Sequence, residues 1–240
     1  LMYEATRLAN KSIPIVFTNV NAPDKLVIVA SLRSSGNNVT GIRNEAILIT
    51  TKKLEFLRQL DRSVKKVGIF APPPESIVPP NAFPEAVDAL KKTAPQFNME
   101  IVVYTLKAAG EKSPAELQKV ADAVESGDVD AIMIISGDAT SFQDNAKIVI
   151  ALARRLKLPT VVTSLRDVEA GALLNYNHVP PDLGRQAAVM ADKIFKGTKP
   201  SDIPIETPRK FELNVNVKVA REIGIVIPNT ILAIADKKIE

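Results

Sequence analysis

Short aliphatic runs that alternate with amphipathic stretches dominate this sequence. The pattern is clearest in residues 65–164, where four apolar runs are separated by three stretches with helical spacing. Strands buried on both faces read as continuous aliphatic runs, and their alternation with helices is typical of a parallel sheet with right-handed crossovers. This segment therefore predicts a nearly complete open α/β sheet.

The segments on either side supply further strands and helices, which we assign to a second lobe. A chain that leaves one lobe, builds another and returns predicts two lobes with a hinge and a ligand cleft between them. We predict a first lobe from residues 1–61 and 172–198, a second lobe from residues 62–171, and a crossover with a C-terminal segment in residues 199–240.

Composition excludes several classes of protein. The 240 residues include no cysteine and one histidine, His178, so neither a thiolate zinc site nor a multi-histidine metal site is expected. A net charge of +4, 5% aromatic residues and no tryptophan argue against a nucleic-acid partner. The apolar runs are too short for a membrane span. We predict no metal and no cofactor.

The common signatures of α/β enzymes are absent. The sequence has no G-x-G-x-x-G, no G-x-x-x-x-G-K-[ST] and no G-x-S-x-G. Asp138 with His178 is the remaining acid/base pair, and His178 is more simply interpreted as a solvated loop residue. A small α/β enzyme stays a minor alternative.

Ligands of open α/β sheets bind beyond the carboxyl ends of the strands, so polar residues just after the apolar runs are the candidates. Asparagine amides suit zwitterionic ligands, an arginine suits a carboxylate, and a tyrosine can stack on a ring. The candidate ligand-binding residues are Asn19, Asn21, Glu75, Ser76, Ser136, Asp138, Ser164, Arg166 and Tyr176.

Several candidates have a simpler structural interpretation. Asp138 could instead bind backbone amides of its own turn, and Arg166 could form a surface ion pair with Asp167 or Glu169. Tyr176 could pack between the lobes. The pair Lys52 and Lys53 is interpreted as a solvated helix surface rather than a binding patch.

Several segments occur in an order and spacing that resemble a known family. They are IPIVF at 13–17, GNNVTG at 36–41, KLEFLRQL at 53–60, VEAGAL at 168–173, KPSDIPIE at 199–206 and AREIGIVIP at 220–228. Together they resemble the ABC-transporter substrate-binding proteins, the family that includes the tryptophan- and tyrosine-binding lipoproteins.

The resemblance implies a type I periplasmic-binding-protein fold, in which two α/β lobes close over a small molecule without catalysis and present it to the permease subunits of an importer. It also implies an extracytoplasmic protein, a lipoprotein anchor in the precursor, and a monomer or weak dimer. A ligand-sensing domain of a receptor or regulator with the same fold is the main alternative.

Two departures from the family qualify the resemblance. An N-terminal βαβ stretch that members carry is missing, so an incomplete first lobe is expected. The loop after the first matched strand reads Ala22-Pro23 where the family commonly has Asp-Pro, so an amino-acid specificity does not transfer directly.

Overall fold

The structure is a computed structural model that describes residues 12–24, 26–77, 83–108, 113–141 and 145–240. The strands are β1 (Ile15–Val20), β2 (Val39–Arg43), β3 (Lys66–Ala71), β4 (Glu100–Thr105), β5 (Ala131–Met133), β6 (Thr160–Val162), β7 (Leu174–His178), β8 (Phe211–Asn216) and β9 (Lys237–Ile239). The helices are α1 (Ala46–Leu60), α2 (Phe83–Thr93), α3 (Ser113–Ala123), α4 (Asn145–Arg155), α5 (Leu165–Glu169), α6 (Pro180–Phe195), α7 (Val217–Ile223) and α8 (Asn229–Ile234).

The chain divides into two compact units. Unit 1 comprises Leu1–Glu45 and His178–Phe211, and unit 2 comprises Ala46–Asn177 and Glu212–Glu240. These boundaries differ from the predicted lobes because α1 buries Leu54, Leu57 and Leu60 in the core of unit 2, and because β7 pairs with β6.

Unit 1 is built on the parallel pair β1 and β2, against which α6 packs. One apolar cluster joins Ile42 of β2 to Leu183 and Met190 of α6. A Cβ atom at Gly41 would lie 2.2 Å from the Phe17 carbonyl oxygen, so glycine is required for the close approach of the two strands.

Unit 2 is built on a seven-stranded sheet with the order β4-β3-β5-β6-β7-β8-β9. The side chains alternate across the sheet, as the two-residue period of a strand requires. Ile69 and Met133 join the apolar cluster that α1, α2, α7 and α8 cover, whereas Phe70 and Ile132 join the cluster that α3, α4 and α5 cover. A sheet with helices on both faces confirms the predicted α/β class.

The strand order of unit 2 contains a switch point. The chain goes from β3 to β4 on one side of β3, and then returns to place β5 on the other side. The crossovers after β3 and β5 therefore leave the sheet in opposite directions, and a crevice forms at the carboxyl ends of such strands.

Sequence prediction differs from the structure most at the C-terminus. Residues 229–238 are predicted to be helical, but α8 ends at Ile234 and Lys237–Ile239 form β9. Lys237 pairs with Asn214 of β8, a contact between residues far apart in sequence that local spacing does not indicate.

Candidate functional site

The loop after β5 is fixed by the carboxylate of Asp138. One carboxylate oxygen accepts a hydrogen bond from the Ile135 amide at 2.9 Å, and the other accepts from the Thr140 amide at 2.9 Å and the Thr140 hydroxyl at 2.6 Å. Burial raises the pKa of Asp138 to about 6, although these hydrogen bonds and the charge of Lys53 oppose the increase. Asp138 thus organises its own turn. The half-buried Ser136 lies in the same loop.

The loop after β6 is fixed by Ser164, which caps α5. The Ser164 hydroxyl accepts a hydrogen bond from the Asp167 amide at 3.2 Å and donates one to the Asp167 carboxylate at 2.7 Å. Arg166 is exposed on the first turn of this short helix. Glu169, a partner predicted for Arg166, forms an ion pair with Lys237 at 2.7 Å.

Tyr176 of β7 presents a half-buried ring near the carboxyl end of its strand. The ring lies 5.3 Å from that of Phe56 on α1, at a tilt of 57°. The Lys52 ammonium lies 5.7 Å from the centre of the Phe56 ring. Burial raises the pKa of Tyr176, so its phenol is neutral at physiological pH and can donate a hydrogen bond.

The remaining candidates lie in two places. Glu75 and Ser76 lie in a single 3-10 turn after β3, where Glu75 is exposed and the Ser76 hydroxyl donates to the Pro73 carbonyl at 2.7 Å. Asn19 and Asn21 lie at the end of β1 in unit 1, and Asn19 has the left-handed φ of 60° that asparagine tolerates.

The structure thus places seven of the nine candidates on one sheet, six of them in the segments that follow β3, β5 and β6, and Tyr176 within β7. These are Glu75, Ser76, Ser136, Asp138, Ser164, Arg166 and Tyr176, all in unit 2. Hydroxyl, guanidinium, carboxylate and phenol groups at one sheet edge can bind a small polar molecule.

The prediction that Lys53 is solvated is wrong. Its side chain is fully buried, and its ammonium donates a hydrogen bond to the Ile134 carbonyl at 3.0 Å. The apolar face of α1 contains Ile49, Phe56 and Leu57, which stand four residues before, three after and four after Lys53. Helical spacing in the sequence therefore already placed Lys53 on the buried face.

Two kinds of feature are absent from the residues that the structure describes. Residues 12–24, 26–77, 83–108, 113–141 and 145–240 contain no cluster of three acidic or histidine side chains suited to a metal ion. Within the same ranges, no helix has the length and apolar character needed to cross a membrane. Burial lowers the pKa of His178, which favours its neutral form.

Comparison with known proteins gives a consistent result. The family model described as "ABC transporter substrate binding protein" matches residues 3–239. A tyrosine-binding protein of Clostridioides difficile is 28% identical over 213 residues, which cover 89% of this chain and 57% of the relative. The chain therefore spans little more than half the length of that curated relative.

Two solved structures share the fold. A ligand-free, open substrate-binding protein with adhesive properties from Clostridium difficile matches with a TM-score of 0.75 and 25% identity, over 99% of this chain and 75% of that chain. An ABC domain in complex with L-Trp from Streptococcus pneumonia matches with a TM-score of 0.79 and 22% identity, over 99% of this chain and 77% of that chain.

Proposed function

Because the chain belongs to the ABC transporter substrate binding protein family, we propose that it captures an amino acid or aromatic solute and presents it to the permease subunits of an importer. The observation that carries the proposal is the family match over residues 3–239. The names of two relatives, one tyrosine-binding and one in complex with L-Trp, make these two amino acids the first ligands to test.

We place the ligand contacts of unit 2 at the carboxyl ends of β3, β5, β6 and β7. Arg166 is exposed and suits a ligand carboxylate, and the hydroxyl of Ser136 suits a polar group of the ligand. The Tyr176 ring, held from one side by Phe56, suits an aromatic or aliphatic ligand side chain. Glu75 and Ser76 form the wall of the site.

The side chains of two candidates, Asp138 and Ser164, already form hydrogen bonds within their own loops, so we propose indirect roles for them. The Asp138 carboxylate accepts three hydrogen bonds from its loop, so it acts on a ligand ammonium through its charge. The Ser164 hydroxyl is occupied by Asp167, so it holds the loop in place. Asn19 and Asn21, in unit 1, stay a prediction, as does the closure of the two predicted lobes over a ligand.

Family membership also supports the setting that we propose. Substrate-binding proteins of importers act outside the cytoplasm, and we propose the same location here, with a lipoprotein anchor in the precursor. The partners are the small solute and the permease. The protein needs no cofactor for this function and catalyses no reaction.

Titration calorimetry with L-Trp and L-Tyr tests the proposal, with Tyr176→Ala as the variant. Removal of the ring should weaken binding by about fivefold or more, because an aromatic contact contributes about 1 kcal/mol beyond its buried area. Tyr104→Ala is the matched control, because Tyr104 also stacks on a phenylalanine at 5.3 Å but packs with the cluster on the opposite face of the sheet.

Binding that is weakened in Tyr176→Ala and retained in Tyr104→Ala supports the proposed site. Equal effects of the two variants would contradict the placement of the site. A wild-type protein that binds neither amino acid nor any other small solute would contradict the function.

A further inference from the structure

Lys53 is a buried charged residue to which the proposed function assigns no role. It lies on α1, the first element of unit 2 after the chain leaves unit 1 at Glu45. Its side chain is 0% exposed, and its ammonium donates to the carbonyl of Ile134, just beyond the carboxyl end of β5.

A buried ammonium is costly unless hydrogen bonds and opposite charges compensate for its lost hydration. The Ile134 carbonyl supplies the hydrogen bond. The charges of Asp138, in the loop after β5, and of Asp167, in α5, both favour the charged form of Lys53. The ammonium is therefore stabilised by one carbonyl and by carboxylates from two different loops.

These same two carboxylates build the two loops. Asp138 binds the backbone at both ends of its turn, and Asp167 binds the Ser164 hydroxyl that caps α5. Ser136 and Ser164, two of the predicted ligand residues, lie in these loops. The hydrogen bond to the Ile134 carbonyl ties Lys53 directly to the start of the first loop, and the charges of Asp138 and Asp167 link it to the anchoring group of each loop.

We propose that Lys53 is a positioning residue of the binding site, whose buried ammonium holds the loops after β5 and β6 in a fixed arrangement at the sheet edge. The link from these loops to ligand binding rests on the proposed function. The positioning itself does not, because it depends only on a hydrogen bond and on charges within unit 2.

Hydrogen–deuterium exchange of the ligand-free protein at pH 6.5, where Lys53 is mostly charged, tests the positioning directly. In Lys53→Met, amides of residues 134–141 and 163–169 should both exchange faster, by about fivefold or more if the coupling has a typical strength. Peptides of β3 and α2 should exchange as in the wild type. Lys91→Met, an exposed lysine of α2, is the matched control and should change neither loop.

A second readout separates positioning from general stability. Lys53→Met should bind L-Trp or L-Tyr at least about fivefold more weakly at pH 6.5, without a loss of melting temperature. If Lys53→Met does not fold, Lys53→Gln takes its place, since glutamine keeps a hydrogen-bond donor but removes the charge. If Lys53 contributed only to stability, Lys53→Met would have a lower melting temperature and faster exchange throughout unit 2.

The outcomes are distinguishable. Faster exchange confined to the two loops supports the proposal even if the wild-type protein binds neither amino acid, in which case the proposed function fails alone. If exchange in Lys53→Met is unchanged in both loops, or faster in only one of them, the proposed role of Lys53 is overturned whatever the protein binds.

Discussion

The stability of this protein should depend on pH in a way that one buried residue determines. Burial lowers the pKa of Lys53 from 10.5 to about 7, and the charges of Asp138 and Asp167 limit the decrease. Between these two values the unfolded chain holds a proton that the folded protein has released. The free energy of unfolding therefore rises with pH across this range.

The magnitude follows from the size of the shift. Each pKa unit corresponds to about 1.4 kcal/mol, so the whole titration changes the free energy of unfolding by about 5 kcal/mol, of which about 3 kcal/mol falls between pH 7 and pH 9.5. Lys53→Met removes the titrating group and with it the cost of burying the ammonium. The variant should gain stability over the wild type at pH 7, and the difference should shrink as the pH rises.

Urea unfolding followed by circular dichroism at several pH values between 7 and 9.5 measures how the free energy of unfolding of the wild type and of Lys53→Met depends on pH. This range lies above the ordinary pKa of His178 and below the raised pKa values of Tyr104 and Tyr176, so those groups contribute little to the slope. If the free energy of unfolding of the wild type and of Lys53→Met changed with pH in parallel, the pKa of Lys53 would not be lowered in the folded protein. Lys53 would then titrate as an exposed lysine does.

Four substitutions test the packing within each unit. Gly41→Ala should destabilise unit 1 strongly, because the new Cβ would lie 2.2 Å from the Phe17 carbonyl oxygen. Gly184→Ala should stabilise α6 by about 0.5–1 kcal/mol, because no atom lies within 4 Å of its new Cβ. Thermal unfolding measures both variants, and equal effects would contradict the packing described for unit 1. Leu57→Ala should lower the free energy of unfolding by about 2–5 kcal/mol, because Leu57 is fully buried in the core of unit 2. Leu48→Ala, on the same helix but 54% exposed, is its control in urea unfolding, and a similar loss in both would show that α1 is not buried as described.

Much of unit 2 could be predicted from the sequence because its strands are buried on both faces. The run at 160–162 predicts a strand, and the S-P-A-E capping box at 113–116 predicts the start of a helix. The structure has β6 at Thr160–Val162 and begins α3 at Ser113, because both signals are local. The position of Ser136 and Ser164 at strand ends follows equally from local pattern. The rule for open α/β sheets then places both at one edge.

The parts that could not be predicted depend on contacts between distant residues. Helical spacing places Lys53 on the buried face of α1, but local sequence does not show which distant groups compensate for its charge: the Ile134 carbonyl, which accepts its hydrogen bond, and the charges of Asp138 and Asp167. The division at Glu45 likewise depends on which sheet α1 packs against. The edge strand β9 contains two lysines, and its residues form a strand because they pair with β8.

Equilibrium dialysis of the intact chain against labelled L-Trp and L-Tyr tests the central claim most directly. We expect saturable retention of at least one of the two, with one molecule bound per chain and the ligand recovered chemically unchanged. Retention no greater than that of an unrelated protein, across these and other small solutes, or recovery of a converted product, would contradict it.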